Sequence, residues 1–437
     1  MSELLTWFGD DFTGSSDVLL QYTRAGVPAL LFLGTPTATE LHAAAEKYQA
    51  IGIAGLTRAM RTPEIGPVVQ EAFELLATLD PRVLQYKICS TADSSVEVGS
   101  IAPAVRIGRD MFGARPVPIL PAQPDLGRYT VFGNHFGRDV TGVHRLDRLP
   151  SMAHHPVTPM TEADLRRHFA AQLATEVGGL PITALLIGDG ARVLQELSEE
   201  GRVAFVMDAL DNDDLHAAAQ LLLAELDGVL FAVGSGGLSV GLAAVRTASR
   251  PVADTAAGPK PGTCLVVSGS AAGRTSDQID AAVAAGWTAL PLDPARLSTD
   301  AEAREAVAEL GKTASDAFGK SPGVIVYTAH RDSLPPTSTV PSNAVGAALG
   351  DVILAVRRRT NVSRVLLAGG DTSGYVLTRL RATTLSATGA VGSDLVLGTV
   401  TSLDEDINGL EVVLKGGQLG HLDVFESALE TRAASST

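Results

Sequence analysis

A chain of 437 residues is longer than one hydrophobic core usually serves, so two domains are expected. Hydrophobic residues make up 45% of it, which excludes an intrinsically disordered chain. Lys and Arg number 34 against 49 Asp and Glu, a net charge of −15, which excludes general electrostatic binding of nucleic acid or an anionic membrane.

From the N-terminus, "LLTWFG" predicts a strand and "SSDVLLQYTRAG" a helix closed by Gly26. "PALLFLG" and "YQAIGIAG" predict two more strands, "EIGPVVQEAFELLATL" a helix and "RVLQYKIC" another strand. From about residue 108 to 160 the rhythm fails. That stretch is rich in Pro, Gly, His and Arg and predicts an irregular, ligand-facing segment. Alternation resumes with "EADLRRHFAAQLATEV" (helix), "ITALLIG" (strand), "GARVLQELSEE" (helix), "RVAFVMDA" (strand), "DDLHAAAQLLLAEL" (helix) and "GVLFAVGS" (strand). Residues 250–262, "RPVADTAAGPKPG", have the composition of a linker. A second series follows, with strands "TCLVVSGS", "WTALPLD", "GVIVYTA", "RVLLAGG" and "EVVLKGG" alternating with helical patterns. The expected fold class is α/β. It has two α/β domains, 1–249 and 263–437, with mainly parallel sheets and a cleft between them.

Cys89 and Cys264 lie far apart in apolar runs, which fits small core residues of a reducing compartment and no disulfide framework or zinc spacing. The N-terminus has no basic region, and Asp10 and Asp11 break its apolar stretch, unlike a secretory signal. No run approaches the roughly 20 apolar residues of a membrane helix. The expected address is the cytoplasm.

Chemistry gathers at the ends of the predicted strands, where open α/β sheets bind ligands. In "FGDDFTG", Asp10 and Asp11 stand side by side after the first strand. Ionised together they repel, so they favour a site that brings a cation or several hydrogen-bond donors. Helix capping by Asp11, Thr13 or Ser15 explains one acid well and two poorly. "GLTRAM" puts Arg58 after the third strand, and "YKICSTADSS" puts Lys87, Ser90, Thr91, Asp93, Ser94 and Ser95 after another. These suit a carboxylate or phosphate, or else a solvated turn. "VVSGSAAGRTS", "LLAGGDTSG" and "VLKGGQLG" are glycine-rich turns after strands, and together they favour a phosphorylated ligand. None is a Walker A motif. "VGSGGLSVG" is a fourth such turn, which close helix–strand packing also explains. The histidines match no catalytic zinc spacing, and no G-x-S-x-G elbow occurs.

In order, these stretches resemble the four-carbon acid sugar kinase family, over nearly the whole chain. The carriers are "GDDFTGSSD", Thr57-Arg58, "KICSTADSS", the 3-oxo-tetronate-kinase-like "HHPVTPMTEADL", "SGS", "AGGDTSG" and "LKGGQLG". Departures are Ala92 where an aromatic is usual, "PAQPDLGR" for the "PAFP" form, and "LSATGAVGSDLVLGTVTS" after the glycine-rich helix. The resemblance implies an ATP-dependent kinase that phosphorylates a terminal hydroxyl of a short sugar acid, a 3-oxo-tetronate or a related 3-oxo acid, in carbohydrate catabolism. A branched acid such as 3-oxo-isoapionate and a non-catalytic sensor on the same fold are the alternatives. It implies a substrate group of Asp10, Asp11, Arg58, Lys87, Ser90, Thr91 and Asp93, with Asp10 or Asp11 as the base and Asp93 as rival. It implies a nucleotide group of Ser268, Gly369, Gly370, Asp371, Thr372 and Gly416, with Mg2+ held partly by Asp371. The implied partners are the sugar acid and ATP, with a homodimer open to it.

Overall fold

The computed structural model of the chain describes residues 3–139, 141–155, 157–225, 228–247, 262–332, 340–392 and 395–431. Apart from Gly262, the expected linker lies outside them. The chain forms two compact units, Met1–Ala29 with Thr35–Ala253, and Leu30–Gly34 with Asp254–Thr437.

The first eleven strands in chain order are β1 (Leu5–Gly9), β2 (Ala29–Phe32), β3 (Ala50–Ala54), β4 (Val83–Lys87), β5 (Val117–Leu120), β6 (Arg128–Val131), β7 (Asn134–Asp139), β8 (Gly142–Arg145), β9 (Gly178–Leu180), β10 (Ala204–Met207) and β11 (Leu230–Gly234). In the first unit β3, β1, β4, β11, β5, β10 and β9 lie side by side in that order, all parallel. Every residue of β1, β3, β4 and β11 is buried, the pattern of a sheet covered on both faces, which is why these strands read as unbroken apolar runs. Close packing has its own residue requirement: a Cβ at Gly52 would fall 2.0 Å from the Trp7 ring.

Two expectations fail in this unit. Much of the segment predicted to be irregular is ordered: it starts within the helix Ala102–Phe112, it contains β5, and β6, β7 and β8 form a separate antiparallel sheet. "ITALLIG" forms the helix Ile182–Leu186, not a strand. Pro181 occupies its N-cap, and the Asp208 carboxylate accepts the Ile182 N–H at 3.0 Å, so the apolar run starts as a helix.

In the second unit the strands are β12 (Cys264–Ser268), β13 (Thr288–Pro291), β14 (Val324–Tyr327), β15 (Arg364–Ala368), β16 (Ala382–Val391), β17 (Leu395–Ser402) and β18 (Glu411–Lys415). The order β13-β14-β12-β15-β18 is parallel, and β17, β16 and β2 continue it antiparallel. β2 thus forms where the sequence predicts a strand, and Leu31 pairs with Leu385. No helix of the described residues is long and apolar enough to cross a membrane.

Candidate functional site

In the first unit, β1 ends at Gly9 and a helix runs from Phe12 to Arg24, so Asp10 and Asp11 occupy the turn between them. The two acids have different fates. Asp11 is the N-cap: one oxygen accepts the Gly14 N–H at 2.7 Å and the other pairs with Arg58 Nη2. Asp10 is held only by its backbone, donating its N–H to the Lys87 carbonyl at 2.9 Å and accepting the Arg58 N–H at 3.0 Å. Its carboxylate is buried, and Oδ1 has no hydrogen-bond partner. Burial pushes the Asp10 carboxyl up to about 7; Arg58 and Lys87 oppose the shift, and Asp11 and Asp93 add to it. A buried carboxylate with an open lone pair and a pKa near neutrality suits proton acceptance.

Arg58 and Asp93 complete the group. Burial works against the Arg58 charge, but Asp11 and Asp10 hold its pKa well above the ordinary value. Asp93 lies 3.9 Å from Arg58 Nε and accepts the Thr158 hydroxyl proton. Lys87, fully buried, donates to the Ile88 carbonyl at 2.9 Å and stands 3.9 Å from Asp17 Oδ2. Asp17 in turn accepts from Gln21 at 2.8 Å and from Gln123 at 3.0 and 3.1 Å. The structure therefore gathers Asp10, Asp11, Arg58, Lys87 and Asp93 as expected residues. It adds Asp17, Gln123 and Thr158, which the sequence reading did not single out. Thr91 engages the Cys89 thiol at 3.0 Å, and Ser90 is held through its carbonyl. The turn "VGSGGLSVG" packs closely: a Cβ at Gly237 would lie 1.9 Å from the Ala122 carbonyl oxygen. A groove of about 570 Å³ elsewhere in this unit is lined by charges that pair with one another, such as Arg202 with Glu176 and Arg166 with Asp164.

Two histidines hold the loop that carries Asp93. His135 Nε2 donates to the Ser90 carbonyl at 2.8 Å and Nδ1 accepts from Thr130 at 2.8 Å, which fixes a neutral tautomer. His168 accepts from Gln172 at 3.1 Å, beside the buried Ala92, whose backbone has φ 51°. Burial pushes each histidine down to about 4. Between pH 6.5 and 4 the unfolded chain binds these protons and the folded chain does not, so each histidine costs stability as pH falls, roughly 3 kcal/mol by pH 4. Asp10, raised in the fold, acts in the opposite direction over almost the same window. Denaturant midpoints are therefore expected to fall from pH 7 to pH 5, and to fall more steeply in Asp10→Asn. A flat profile in both proteins would contradict these assignments.

In the second unit the three glycine turns sit on neighbouring strands. Ser268 is in register with Ala368, and Ala368 with Lys415, so the turns after β12, β15 and β18 lie side by side at the carboxyl ends. Gly369 has φ 119°, a left-handed-side conformation that favours glycine, and Gly370 opens the helix Gly370–Arg379. A Cβ at Gly269 would fall 2.3 Å from Thr372 Oγ1, and one at Gly417 would fall 2.8 Å from Ser270 Oγ. Ser268 Oγ accepts the Ser270 N–H at 3.3 Å. Helices starting at Gly273 and Gly370 bring N-terminal N–H groups to these turns, an arrangement suited to phosphate. The Asp371 side chain lies outside the described residues, and among those residues no group of three metal-ligating side chains occurs.

Lys415 and Thr275, also missed by the sequence reading, tie the turns together. Lys415 Nζ, fully buried, donates to Thr275 Oγ1 and to the Gly416 carbonyl, both at 3.1 Å. The Thr275 hydroxyl lies 2.9 Å from the Gly417 carbonyl, which it can donate to. Thr275→Val removes that link, and if these turns hold the nucleotide that the family resemblance implies, its KM is expected to rise about tenfold, the worth of roughly one hydrogen bond, with the KM for the implied acid unchanged. Thr275→Ser should restore it. Steady-state kinetics decide, and equal KM values in all three proteins would sink the assignment.

Comparison with known proteins follows the same division. Residues 5–242 match the model of a sugar-binding N-terminal domain, and residues 265–425 that of a nucleotide-binding C-terminal domain. The chain is 34% identical to a 3-oxo-isoapionate kinase of Paraburkholderia graminis, covering 99% of this chain and 95% of that one. It is 29% identical to a 3-oxo-tetronate kinase of Methylobacterium radiotolerans, covering 99% and 100%. In fold it is similar to a Salmonella typhimurium protein described as a putative tRNA synthase, with TM-score 0.77 and 24% identity over 97% of this chain and 98% of the other.

Proposed function

Since this chain belongs to the four-carbon acid sugar kinase family and is a sugar acid kinase, we propose that its acceptor is a 3-oxo sugar acid of the tetronate class. The terminal hydroxyl oxygen bonds to the γ-phosphorus of ATP, the bridging bond to the β-phosphate breaks, ADP leaves, and Asp10 takes the hydroxyl proton. The observation that carries this is the buried Asp10 Oδ1 without a partner, beside two acids that are already committed. Asp11 is spent on Gly14 and Arg58, and Asp93 on Thr158, so Asp10 is the base we infer. Arg58 and Lys87 supply positive charge for the substrate carboxylate. Ser90 and Thr91 frame it from the same loop.

In the second unit Ser268, Gly369, Gly370, Thr372 and Gly416 are the groups proposed for the triphosphate, through backbone N–H and hydroxyl donors. Mg2+ would neutralise phosphate charge there, with Asp371 as the proposed carboxylate. A cytoplasmic address accords with two free cysteines. A homodimer is the assembly to test by sedimentation.

A coupled ADP-release assay over tetronates, 3-oxo-tetronates and 3-oxo-isoapionate tests the reading. The 34% relative favours including the branched acid on equal terms. Substrate-dependent ADP from a 3-oxo acid is the expected result. ADP release with plain tetronates only would overturn the acceptor class.

A further inference from the structure

Lys87 Nζ and Asp17 Oδ2 are 3.9 Å apart, too far for a hydrogen bond. Gln21 and Gln123 both donate to Asp17, so its carboxylate is held as an acceptor in one orientation. Glycines let both groups pack this closely against the backbone. A Cβ at Gly236 would lie 2.1 Å from Asp17 Oδ2, and one at Gly14 would lie 2.8 Å from Lys87 Nζ. Gln123 is 1% exposed, with its amide nitrogen spent on Asp17 and its Oε1 buried without a partner.

We propose that one substrate hydroxyl sits between Lys87 and Asp17, that Asp17 selects acids carrying it, and that Gln123 is the positioning residue for Asp17. An oxygen about 2.8 Å from each can accept from the ammonium and donate to the carboxylate at once. The inference rests on the sugar acid kinase reading above. A 3-oxo-tetronate carries hydroxyls on C2 and C4. With the terminal C4 hydroxyl given to Asp10, the C2 hydroxyl is the one left for Lys87 and Asp17. A site that hydrogen-bonds a hydroxyl rejects the analogue lacking it, because its own polar groups are then stranded.

The test compares 3-oxo-tetronate with its 2-deoxy analogue, 4-hydroxy-3-oxobutanoate, in the full-length enzyme with saturating ATP. Wild type should prefer the hydroxylated acid by about a hundredfold or more in kcat/KM. Asp17→Asn should lose most of that preference by losing activity on 3-oxo-tetronate alone, with the KM for ATP unchanged. Gln123→Met, which keeps the length of the side chain, should lose about tenfold on the hydroxylated acid through KM and leave the deoxy acid untouched. Gln123→Met also carries the test if Asp17→Asn does not fold. Equal losses on both acids, or a wild type indifferent to the C2 hydroxyl, would overturn the inference and leave the kinase reading standing. If no acid yields ADP, the acceptor reading fails instead. Thermal-midpoint shifts with the same two acids then judge Asp17: a larger shift with 3-oxo-tetronate that vanishes in Asp17→Asn supports it, and equal shifts reject it.

Discussion

Asp10→Asn is expected to lower kcat by about three orders of magnitude, in the middle of the range for removal of a general base. Asn keeps the size of the side chain and the backbone links to Lys87 and Arg58, so the loss reports the lone pair and not the turn. The pH profile is the sharper readout. With the wild-type carboxyl near 7, kcat/KM should rise tenfold per pH unit below about 7 and level above it. The variant should lose that limb. The same variant should be more stable than wild type at pH 8, because a buried, unpartnered charge has been removed. A variant that keeps more than a tenth of wild-type kcat, with the acid limb intact, would return the role of base to Asp11 or Asp93.

The second large effect concerns stability. Arg364 is fully buried, with Nε donating to Glu411 at 2.9 Å and Nη1 donating to the Ala428 and Thr431 carbonyls at the end of the helix Val424–Glu430. Arg364→Ala leaves those carbonyls without their donor and Glu411 without its partner, at a cost of about 3 kcal/mol or more. Chemical denaturation should show the transition of the second unit at lower denaturant and that of the first unit unmoved. If both transitions stay in place, the arginine is not the anchor described here.

The fold was legible where local pattern and tertiary role agree. β1, β3 and β4 are buried throughout, and their apolar runs announce it. It was illegible where a distant partner decides. "ITALLIG" has strand-like composition, but Asp208 and Pro181 start it as a helix. The sheet β6-β7-β8 is only partly buried, and its first hairpin turns through Phe132 at φ 50° and Gly133 at φ 77°. A phenylalanine there hides the turn, and Asp208, which accepts both N–H groups at 2.6 and 3.0 Å, lies 75 or more residues away in the chain.

The site divides in the same way. The paired acids and glycine turns stand out because few structural needs explain them. Which acid is free does not, because Arg58 reaches Asp11 from another strand–helix turn. Asp17 and Gln123 escaped because neither is unusual alone; only their meeting across 106 positions marks them. Lys415 was hidden in plain view, one residue before the glycines of its turn.

The central claim is that the acids and cations of the first unit hold the sugar acid and the glycine backbone of the second holds the triphosphate. The most direct measurement is a crystal structure of the whole chain soaked with a non-hydrolysable ATP analogue. Phosphates seated on the N–H groups around Ser268, Gly369 and Gly416 are the predicted result. Phosphates seated on Arg58 and Lys87 beside Asp10 would contradict it.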